Sequence, residues 1–250
     1  MKISYFSDLH IETSEYKAVS NDADVIVLAG DIGVGETGLH WARAQFSQEI
    51  IYVLGNHEFY NTEIHACRQH LQIVAKKLGI HLLDNESTII DNVEFIGTTL
   101  WTDYDLHGTP VDSQLIAADK LYDFRKIQID VGNGIERLKP EHTLAMHQAS
   151  LKFLSKQLSE KTTSKRIVIS HHAPSIRSLS KKYSNHYLSP SFASHLEHLI
   201  YEFGVDIWIH GHTHHNTTFN IGSTLILSNQ RGNNNDDSRR DFNHLAQITL

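Results

Sequence analysis

Seven residues that could bind metal ions each follow a short apolar run of the sequence. They offer oxygen and nitrogen ligand atoms: Asp8, His10, Asp31, Asn56, His171, His212 and His214. In the D-x-H and H-x-H spacings the two side chains point to the same side of an extended chain, so both can reach one site. This ligand set suits Mn, Fe, Zn, Co or Ni and does not suit Cu(I) or an iron–sulfur cluster. One Asp or Asn alone would indicate a turn or a helix cap, whereas the seven together predict a metal centre.

The apolar runs predict the strands that would position these residues. They are rich in Ile, Val, Tyr and Phe and cover residues 2–6, 24–30, 50–55, 93–101, 166–170, 205–211 and 224–229. Several lack polar alternation, which is typical of strands covered on both faces. In open α/β sheets, ligands bind outside the carboxyl ends of the strands, where these polar residues would lie. Gly30, Gly55 and Gly211 precede the polar groups and suit a sharp turn or a close approach of the backbone.

Helical periodicity fills several of the intervals between the runs. Apolar residues recur every three or four positions over 62–78 and 141–158, and a third helix is predicted from Pro190 to about Phe203. Alternating strands and helices favour an α/β architecture of packed layers. No repeat, low-complexity tract or linker divides the chain. We therefore predict one domain over 1–250, with an insertion at about 102–140, where periodicity is weak.

The composition argues against several classes of protein. The 250 residues carry a formal net charge of −7 with His neutral, so no broad basic surface for nucleic acid or an anionic membrane is expected. Cys67 is the single cysteine, which excludes an intrachain disulfide and a cysteine-based zinc site. No run approaches the roughly 18 apolar residues of a membrane span, and "MKISYFSDLH" does not resemble a signal peptide. We therefore predict a cytoplasmic protein.

Five motifs, DLH, GD, GNHE, SHHAP and GHTH, occur in this order between residues 8 and 214. Together they resemble the calcineurin-like metallophosphoesterase family, in particular its small bacterial members. The resemblance implies a four-layer α-β-β-α sandwich that holds two divalent metal ions at the carboxyl edge of its sheets. It assigns one metal to Asp8, His10, Asp31 and His214, and the other to Asp31, Asn56, His171 and His212. Mn is the expected metal, with Fe, Zn, Co or Ni as alternatives.

The resemblance also implies hydrolysis at phosphorus. Two cations roughly 3.5–4 Å apart would clamp a phosphate oxygen and hold a bridging hydroxide that attacks phosphorus in line. The expected catalytic residue is His57 of the GNHE motif, a general acid oriented by Asp8 or another acidic group. The alternative for His57 is a supporting or merely solvated side chain. Glu58 is expected to support its own loop.

Sequence features restrict the substrate in part. The stretch "GDIGVGETG" lacks the Arg that protein Ser/Thr phosphatases of the family carry soon after GD, which argues against that branch. Residues 98–126 resemble a segment of the small bacterial members, and Arg125 within it would suit a second phosphate or a base edge. The alternative for side chains of this segment is loop packing or solvated surface. The residues expected to contact substrate are Asn56, His57, Tyr104, His107, Arg125 and His172.

Three functions remain open at this point. The first is a phosphodiesterase or phosphatase for a small or nucleotide-like substrate, the second a hydrolase of a pyrophosphate linkage, and the third a catalytically silent scaffold. The complete ligand set and His57 favour an enzyme. His147 lies on the apolar stripe of a helix and indicates core packing, and residues 229–243 predict a polar loop before a last strand, "LAQITL".

Overall fold

The computed structural model describes residues 1–162, 164–236 and 238–250, and two β-sheets form its centre. The strands of the first sheet are Lys2–Phe6 (β1), Val25–Ala29 (β2), Glu49–Val53 (β3), His81–Leu82 (β4) and Gln247–Thr249 (β13). Their order is β13-β1-β2-β3-β4, and all neighbours are parallel except β13 and β1. Parallel strands place their carboxyl ends at one edge of the sheet.

The second sheet has six strands and a parallel centre. Its strands are Glu86–Ile90 (β5), Val93–Thr98 (β6), Lys165–Ser170 (β9), Ile207–His210 (β10), Thr218–Ile221 (β11) and Thr224–Leu227 (β12). Their order is β11-β12-β10-β9-β6-β5, and the outer strands β5 and β11 are the antiparallel ones.

Helices cover the outer face of each sheet. The longer ones are Thr37–Gln45 (α1), Ile64–Leu78 (α2), Pro110–Lys120 (α3), Pro140–Ser159 (α5) and Glu197–Phe203 (α6), and the short ones are Asp123–Lys126 (α4) and Ser238–Asp241 (α7). A two-stranded sheet of Gln128–Asp130 (β7) and Ile135–Arg137 (β8) lies beside α4, within the segment 102–140. Among the described helices, none is long and apolar enough to cross a membrane.

Alternate residues of each strand fill two different core layers. In β2, Val27 belongs to the core between the sheets with Ile169 of β9, whereas Leu28 packs under α1 and α2. Trp208 of β10 packs in a third core, under α5 and α6. All five residues of β2 are buried, as expected of a strand covered on both faces. The predicted α-β-β-α sandwich is therefore confirmed.

The helix predicted from Pro190 to Phe203 is shorter than expected. Pro190 lies in a 3₁₀ turn, Ser189–Ser191, and α6 begins only at Glu197. The intervening chain is extended because it pairs with the chain after β9: the Ser194 N–H donates to the Ala173 carbonyl at 3.1 Å. A backbone partner from another segment has overridden the local helical pattern.

Candidate metal centre

The carboxyl ends of five strands meet at one edge of the two sheets and bring the predicted ligands together. Asp8, Asp31 and Asn56 follow β1, β2 and β3, while His171 and His212 follow β9 and β10 of the other sheet. The His214 side chain is 23% exposed. The remaining six ligands are at most 9% exposed, so the site is a buried polar cluster.

The backbone turns sharply at five of the predicted ligands. Their φ angles are positive: 51° at Asp8, 46° at His10, 55° at Asp31, 69° at His212 and 45° at His214. Few residues with a Cβ adopt this left-handed region, although Asp, Asn and His tolerate it better than most. Hydrogen bonds between the loops hold these turns, since the Asp8 N–H donates to the Gly30 carbonyl and the His10 N–H to the Asp31 carbonyl. Such concentrated strain is typical of functional sites.

Three glycines let the loops approach each other closely. A Cβ at Gly55 would overlap the Asp31 carboxylate, and one at Gly30 would overlap the His171 ring. A Cβ at Gly211 would lie 2.6 Å from Asp8 Oδ2. The close approach predicted for Gly30, Gly55 and Gly211 is confirmed.

Asp8, His10 and His214 form the first group of possible ligands, whose ligand atoms lie within 4.8 Å of one another. The two Nε2 atoms of the histidines are 3.1 Å apart, and His214 Nε2 lies 3.3 Å from Asp8 Oδ1. Each ring donates its Nδ1–H away from the group, His10 to Glu12 Oε1 at 3.1 Å and His214 to Asp236 Oδ2 at 2.6 Å. In the neutral rings, the lone pairs of both Nε2 atoms would therefore point inward, as metal binding requires.

Asp31, His171 and His212 form the second group, which Asn56 completes. His171 Nδ1–H donates to the Ala29 carbonyl at 2.9 Å, so the neutral form of His171 would carry its lone pair on Nε2. This Nε2 lies 3.1 Å from Asn56 Oδ1, 3.2 Å from His212 Nδ1 and 3.5 Å from Asp31 Oδ1. Two imidazole nitrogens and two side-chain oxygens thus face one another.

Both groups need positive charge between their acceptors. The Asn56 amide is oriented by Asp123, whose Oδ1 accepts from Asn56 Nδ2 at 2.9 Å, so its oxygen stays turned to the second group. Asp31 Oδ2 lies 3.9 Å from His10 Nε2, which lets the Asp31 carboxylate serve both groups. Converging lone pairs and buried carboxylates are unfavourable without a cation. The carboxylate, amide and imidazole atoms of both groups fit divalent metal cations.

The pKa values reflect the same demand for charge. Burial opposes protonation of His171 and His214, but neighbouring carboxylates outweigh it and raise the pKa of His171 to about 9 and that of His214 to about 10. Burial also opposes ionisation of Asp31, yet the charge on His171 holds the pKa of that carboxyl well below its usual value. Burial and the neighbouring His172 lower the pKa of His212 well below the ordinary value, which favours the neutral form that binds metals.

His57 lies beside both groups and is held by Glu12. His57 Nδ1 is 2.9 Å from Glu12 Oε1, and its Nε2 is 3.8 Å from Asp31 Oδ2. The ring stacks on Tyr60 with centroids 4.2 Å apart. Burial opposes protonation, but Asp31 and Glu12 outweigh it and raise the pKa of His57 to about 9. The acidic group that contacts His57 Nδ1 is therefore Glu12 and not Asp8.

Glu58 ties the loops after β2 and β3 together. It is fully buried and accepts hydrogen bonds from the N–H groups of Asp31, Ile32 and Gly55 at 2.7–3.0 Å. The Tyr52 hydroxyl donates a fourth bond at 2.8 Å. The expected role of Glu58 in supporting its loop is confirmed, and each of the two loops it joins carries one predicted ligand, Asp31 or Asn56.

Three carboxylates that contact the predicted site, Glu12, Asp123 and Asp236, were missed by sequence reasoning. Glu12 continues the even spacing of Asp8 and His10 in "DLHIE", which could have indicated it. Asp236 lies in the polar loop 229–243, which contacts the site although Asp237 lies outside the described residues. Nothing in the sequence near Asp123 or Asp236 marks them, because their partners are remote along the chain.

Tyr104, His107 and Arg125 do not lie at the site. Tyr104 is 2% exposed, and its hydroxyl lies 2.6 Å from Thr143 Oγ1 in the core. His107 is exposed, and Arg125 is exposed and bonds the Asp119 carbonyl. The prediction assumed that residues close in sequence to "TTLW" also lie close to the site. Turns with positive φ at residues 100, 101 and 104 change the direction of the chain there.

His172 and His147 are buried packing residues. His172 is 2% exposed, its Nδ1 bonds the Thr99 carbonyl at 3.1 Å, and its ring lies 4.0 Å from that of His212. Burial and the charge of His171 lower the pKa of His172 to about 3, so it is neutral. It packs behind His212, away from the cavity that phosphate would enter. His147 is 1% exposed, as expected of a core residue.

A cavity of about 390 Å³ opens onto both groups. Five site residues form one end of it: Asp31, Asn56, His57, His212 and His214. Its side walls come from residues 120–123 and 179–192. An extended organic group attached to a phosphate at the site would lie between these walls.

A family model for calcineurin-like phosphoesterases matches residues 1–216. The chain belongs to this family. This phosphoesterase, an enzyme that hydrolyses phosphoric esters, has a curated relative in Acanthamoeba polyphaga mimivirus, "Uncharacterized protein L509". The two are 25% identical over 281 residues, which cover 99% of this chain and 96% of the viral protein.

Two solved structures resemble this phosphoesterase to different degrees. Phosphopantetheinyl hydrolase from Mycobacterium tuberculosis superposes with a TM-score of 0.76 at 16% identity, over 99% of this chain and 95% of that one. A dimetal phosphatase from Danio rerio has a TM-score of 0.45 at 14% identity, over 91% and 86% of the two chains. The first likeness supports the four-layer fold across almost the whole chain.

Proposed function

We propose that this phosphoesterase is a two-metal hydrolase of small phosphate esters in which His57 is the general acid. The observation that carries the proposal is the meeting of acceptor atoms in two adjacent groups that share Asp31. His57 lies at the end of the cavity beside both groups. Burying so many polar side chains against one another costs free energy, and a catalytically silent scaffold would gain nothing from that cost.

The proposed ligands follow the two groups. Asp8, His10 and His214 would hold one cation, Asn56, His171 and His212 the other, and Asp31 would contact both. When bound, two divalent cations, Mn²⁺ by preference, activate water for attack on phosphorus and neutralise charge on the phosphoryl oxygens.

The other residues of the chain prepare the proton transfer. Glu12 accepts the Nδ1–H of His57 at 2.9 Å, which leaves His57 Nε2 as the atom that donates a proton to the leaving oxygen. Tyr60 stacks on the ring and restricts its rotation. Asp123 holds the Asn56 amide so that its oxygen faces the second group.

A metal-loading experiment tests the proposal. The protein is stripped with EDTA, reloaded with Mn²⁺, and assayed for bound metal and for turnover of bis(p-nitrophenyl) phosphate and p-nitrophenyl phosphate. We expect two Mn²⁺ ions per chain and turnover of at least one substrate that EDTA abolishes. Failure of the loaded protein to hydrolyse either compound would contradict the proposal.

The role of His57 is tested with leaving groups of different basicity. We expect His57→Asn to lower kcat by about 10²–10⁴-fold for a phenyl or alkyl ester, whose leaving oxygen needs a proton, and much less for a p-nitrophenyl ester. Glu12→Gln should show the same pattern with a smaller loss. Metal content should not change in His57→Asn; its loss would make His57 a ligand.

We further propose that residues 1–250 form one domain. The strands β1 and β13, from opposite ends of the chain, pair between Lys2–Ser4 and Gln247–Thr249 within one sheet. The segment 102–140 contributes Phe124 and Ile127 to the core under α1 and α2, so it packs on the sandwich instead of forming a separate unit.

A further inference from the structure

The cavity that opens onto the site is bounded mainly by apolar and aromatic side chains. Leu121 and Tyr122 form one wall, and Leu179, Leu188 and Phe192 form the other. Both walls come from segments outside the motifs that carry the metal chemistry. They therefore shape the part of a substrate that extends away from phosphorus.

The apolar surface begins directly at the catalytic groups. Tyr60 stacks on His57, and the Tyr60 hydroxyl is directed away, donating to Asp123 Oδ1 at 2.8 Å. Phe192 stacks on His212 with centroids 4.7 Å apart and ring planes at 27°. A ring or branched chain attached through oxygen to a phosphate at the site would meet these two aromatic faces first.

The described lining of the cavity offers few Lys or Arg side chains to a second anionic group. Among its described lining residues, Lys120 is the only Lys or Arg, and its ammonium pairs with Asp119 at 2.8 Å while its side chain is 54% exposed. The Lys126 ammonium lies 5.2 Å from the ring centroid of Tyr60, but Lys126 is not among the described lining residues. Two carboxylates, Asp123 and Asp236, line the cavity as well. A second phosphate or a carboxylate placed there would be desolvated beside negative charge.

We infer that the cavity binds an uncharged, apolar or aromatic organic group of the phosphate ester. The inference rests on the proposed function, because the phosphate must occupy the metal groups for its substituent to reach these walls. A cavity of this kind would favour simple phosphate esters over pyrophosphate-linked substrates, which carry a second charged phosphate. Leu188 and Tyr122 would determine which organic group is accepted, since both line the cavity. Neither forms a described hydrogen bond with a predicted metal ligand.

Phosphonates that cannot be hydrolysed test this inference. Binding of methylphosphonate, benzylphosphonate and 3-phosphonopropionate to the Mn²⁺-loaded protein is measured by calorimetry. We expect benzylphosphonate to bind about tenfold more tightly than methylphosphonate, because its ring is removed from water. The carboxylate of 3-phosphonopropionate should give no gain. Equal affinities, or a preference for the carboxylate, would overturn the inference.

The two proposals fail in different ways. If bis(p-nitrophenyl) phosphate is hydrolysed but all three phosphonates bind equally, the metal chemistry stands and the apolar subsite does not. If no phosphonate binds and nothing is hydrolysed, the proposed function itself is wrong, and the inference fails with it.

A matched pair of variants locates the selectivity. Leu188→Ser should reduce the preference for benzylphosphonate over methylphosphonate about threefold, because it removes most of one apolar side chain from the wall. Leu115→Ser is the control, since Leu115 lies on α3, is 67% exposed and does not line this cavity. Equal preferences in Leu188→Ser and wild type would contradict the assignment of Leu188.

Discussion

The two ends of strand β9 carry buried polar clusters of opposite character. At its amino end, Arg166 faces Glu94 of the neighbouring strand β6, with which it is in register. At its carboxyl end, His171 faces acceptor atoms of Asn56, His212 and Asp31. Four residues of extended chain lie between Arg166 and His171, which places their Cα atoms roughly 16 Å apart.

The amino-end cluster is balanced. Arg166 Nε donates to Glu94 Oε2 at 2.8 Å, and its other nitrogens donate to the carbonyls of Leu158 and Glu160 at 2.9 and 2.6 Å. Gln157 Nε2 donates to the second oxygen of Glu94 at 2.7 Å. Every charge has its partner within the chain, so this cluster needs nothing from outside.

The carboxyl-end cluster lacks such fixed pairing, because carboxylate, amide and imidazole atoms that can bind a cation face one another there. The contrast separates a structural polar cluster from a functional one: the first is complete in the folded chain, and the second is completed by a ligand. Mutations should therefore change stability at one end of β9 and activity at the other.

Asp31→Asn should have the largest effect on activity. The oxygen of the new amide can still accept a hydrogen bond from the His57 backbone N–H. The substitution, however, removes the negative charge of a carboxylate that lies close to both ligand groups. We expect kcat/KM to fall by at least about a thousandfold and bound Mn²⁺ to decrease, while the folded structure persists. Assays with added Mn²⁺ and circular dichroism check both parts. Wild-type activity in Asp31→Asn would contradict a functional role for the polar cluster at the carboxyl end of β9.

Glu94→Ala should destabilise the protein with little effect on activity. It leaves the Arg166 guanidinium buried without its counter-charge, which costs about 3 kcal/mol of unfolding free energy. Urea unfolding measures the loss, and kcat at saturating Mn²⁺ should stay near the wild-type value.

Lys165→Ala is the matched control for Glu94→Ala. Lys165 is the neighbouring residue on β9, and its ion pair with Asp206 is exposed, with the Lys165 side chain 63% accessible. Its loss should lower the free energy of unfolding much less than the loss of Glu94 does, because solvent screens an exposed ion pair. Equal costs for the two variants would mean that burial does not distinguish the two ion pairs.

Asp236→Asn should have a smaller effect on metal binding than Asp31→Asn. Asp236 accepts the Nδ1–H of His214 and thereby aims Nε2 at the first ligand group. We expect Mn²⁺ affinity to weaken about tenfold to a hundredfold, so the rise in melting temperature on adding Mn²⁺ should shrink. Asp22→Asn, at an exposed carboxylate far along the chain, should leave that rise unchanged.

The sequence predicted what depends on short-range patterns. The strands follow from the apolar runs, and the polar residues after them meet at one edge of the sheets as expected. The four-layer order was what the family resemblance implied. It could not predict Asp123 or Asp236, because their hydrogen bonds to Asn56 and His214 join segments that only folding brings together. Tyr104 was misplaced for the converse reason, since turns of the backbone within 100–104 decide its direction.

The left-handed turns at five predicted ligands restrict what evolution can place there. Each position must supply a ligand atom and also tolerate a positive φ, and Asp, Asn and His are among the few residue types that do both. A Glu or Cys could offer a ligand atom, but either residue would be strained at a positive φ. The longer side chain of Glu would also place its carboxylate at a different distance from the backbone. Substitutions that change the metal preference at these five positions are therefore restricted mainly to exchanges among Asp, Asn and His.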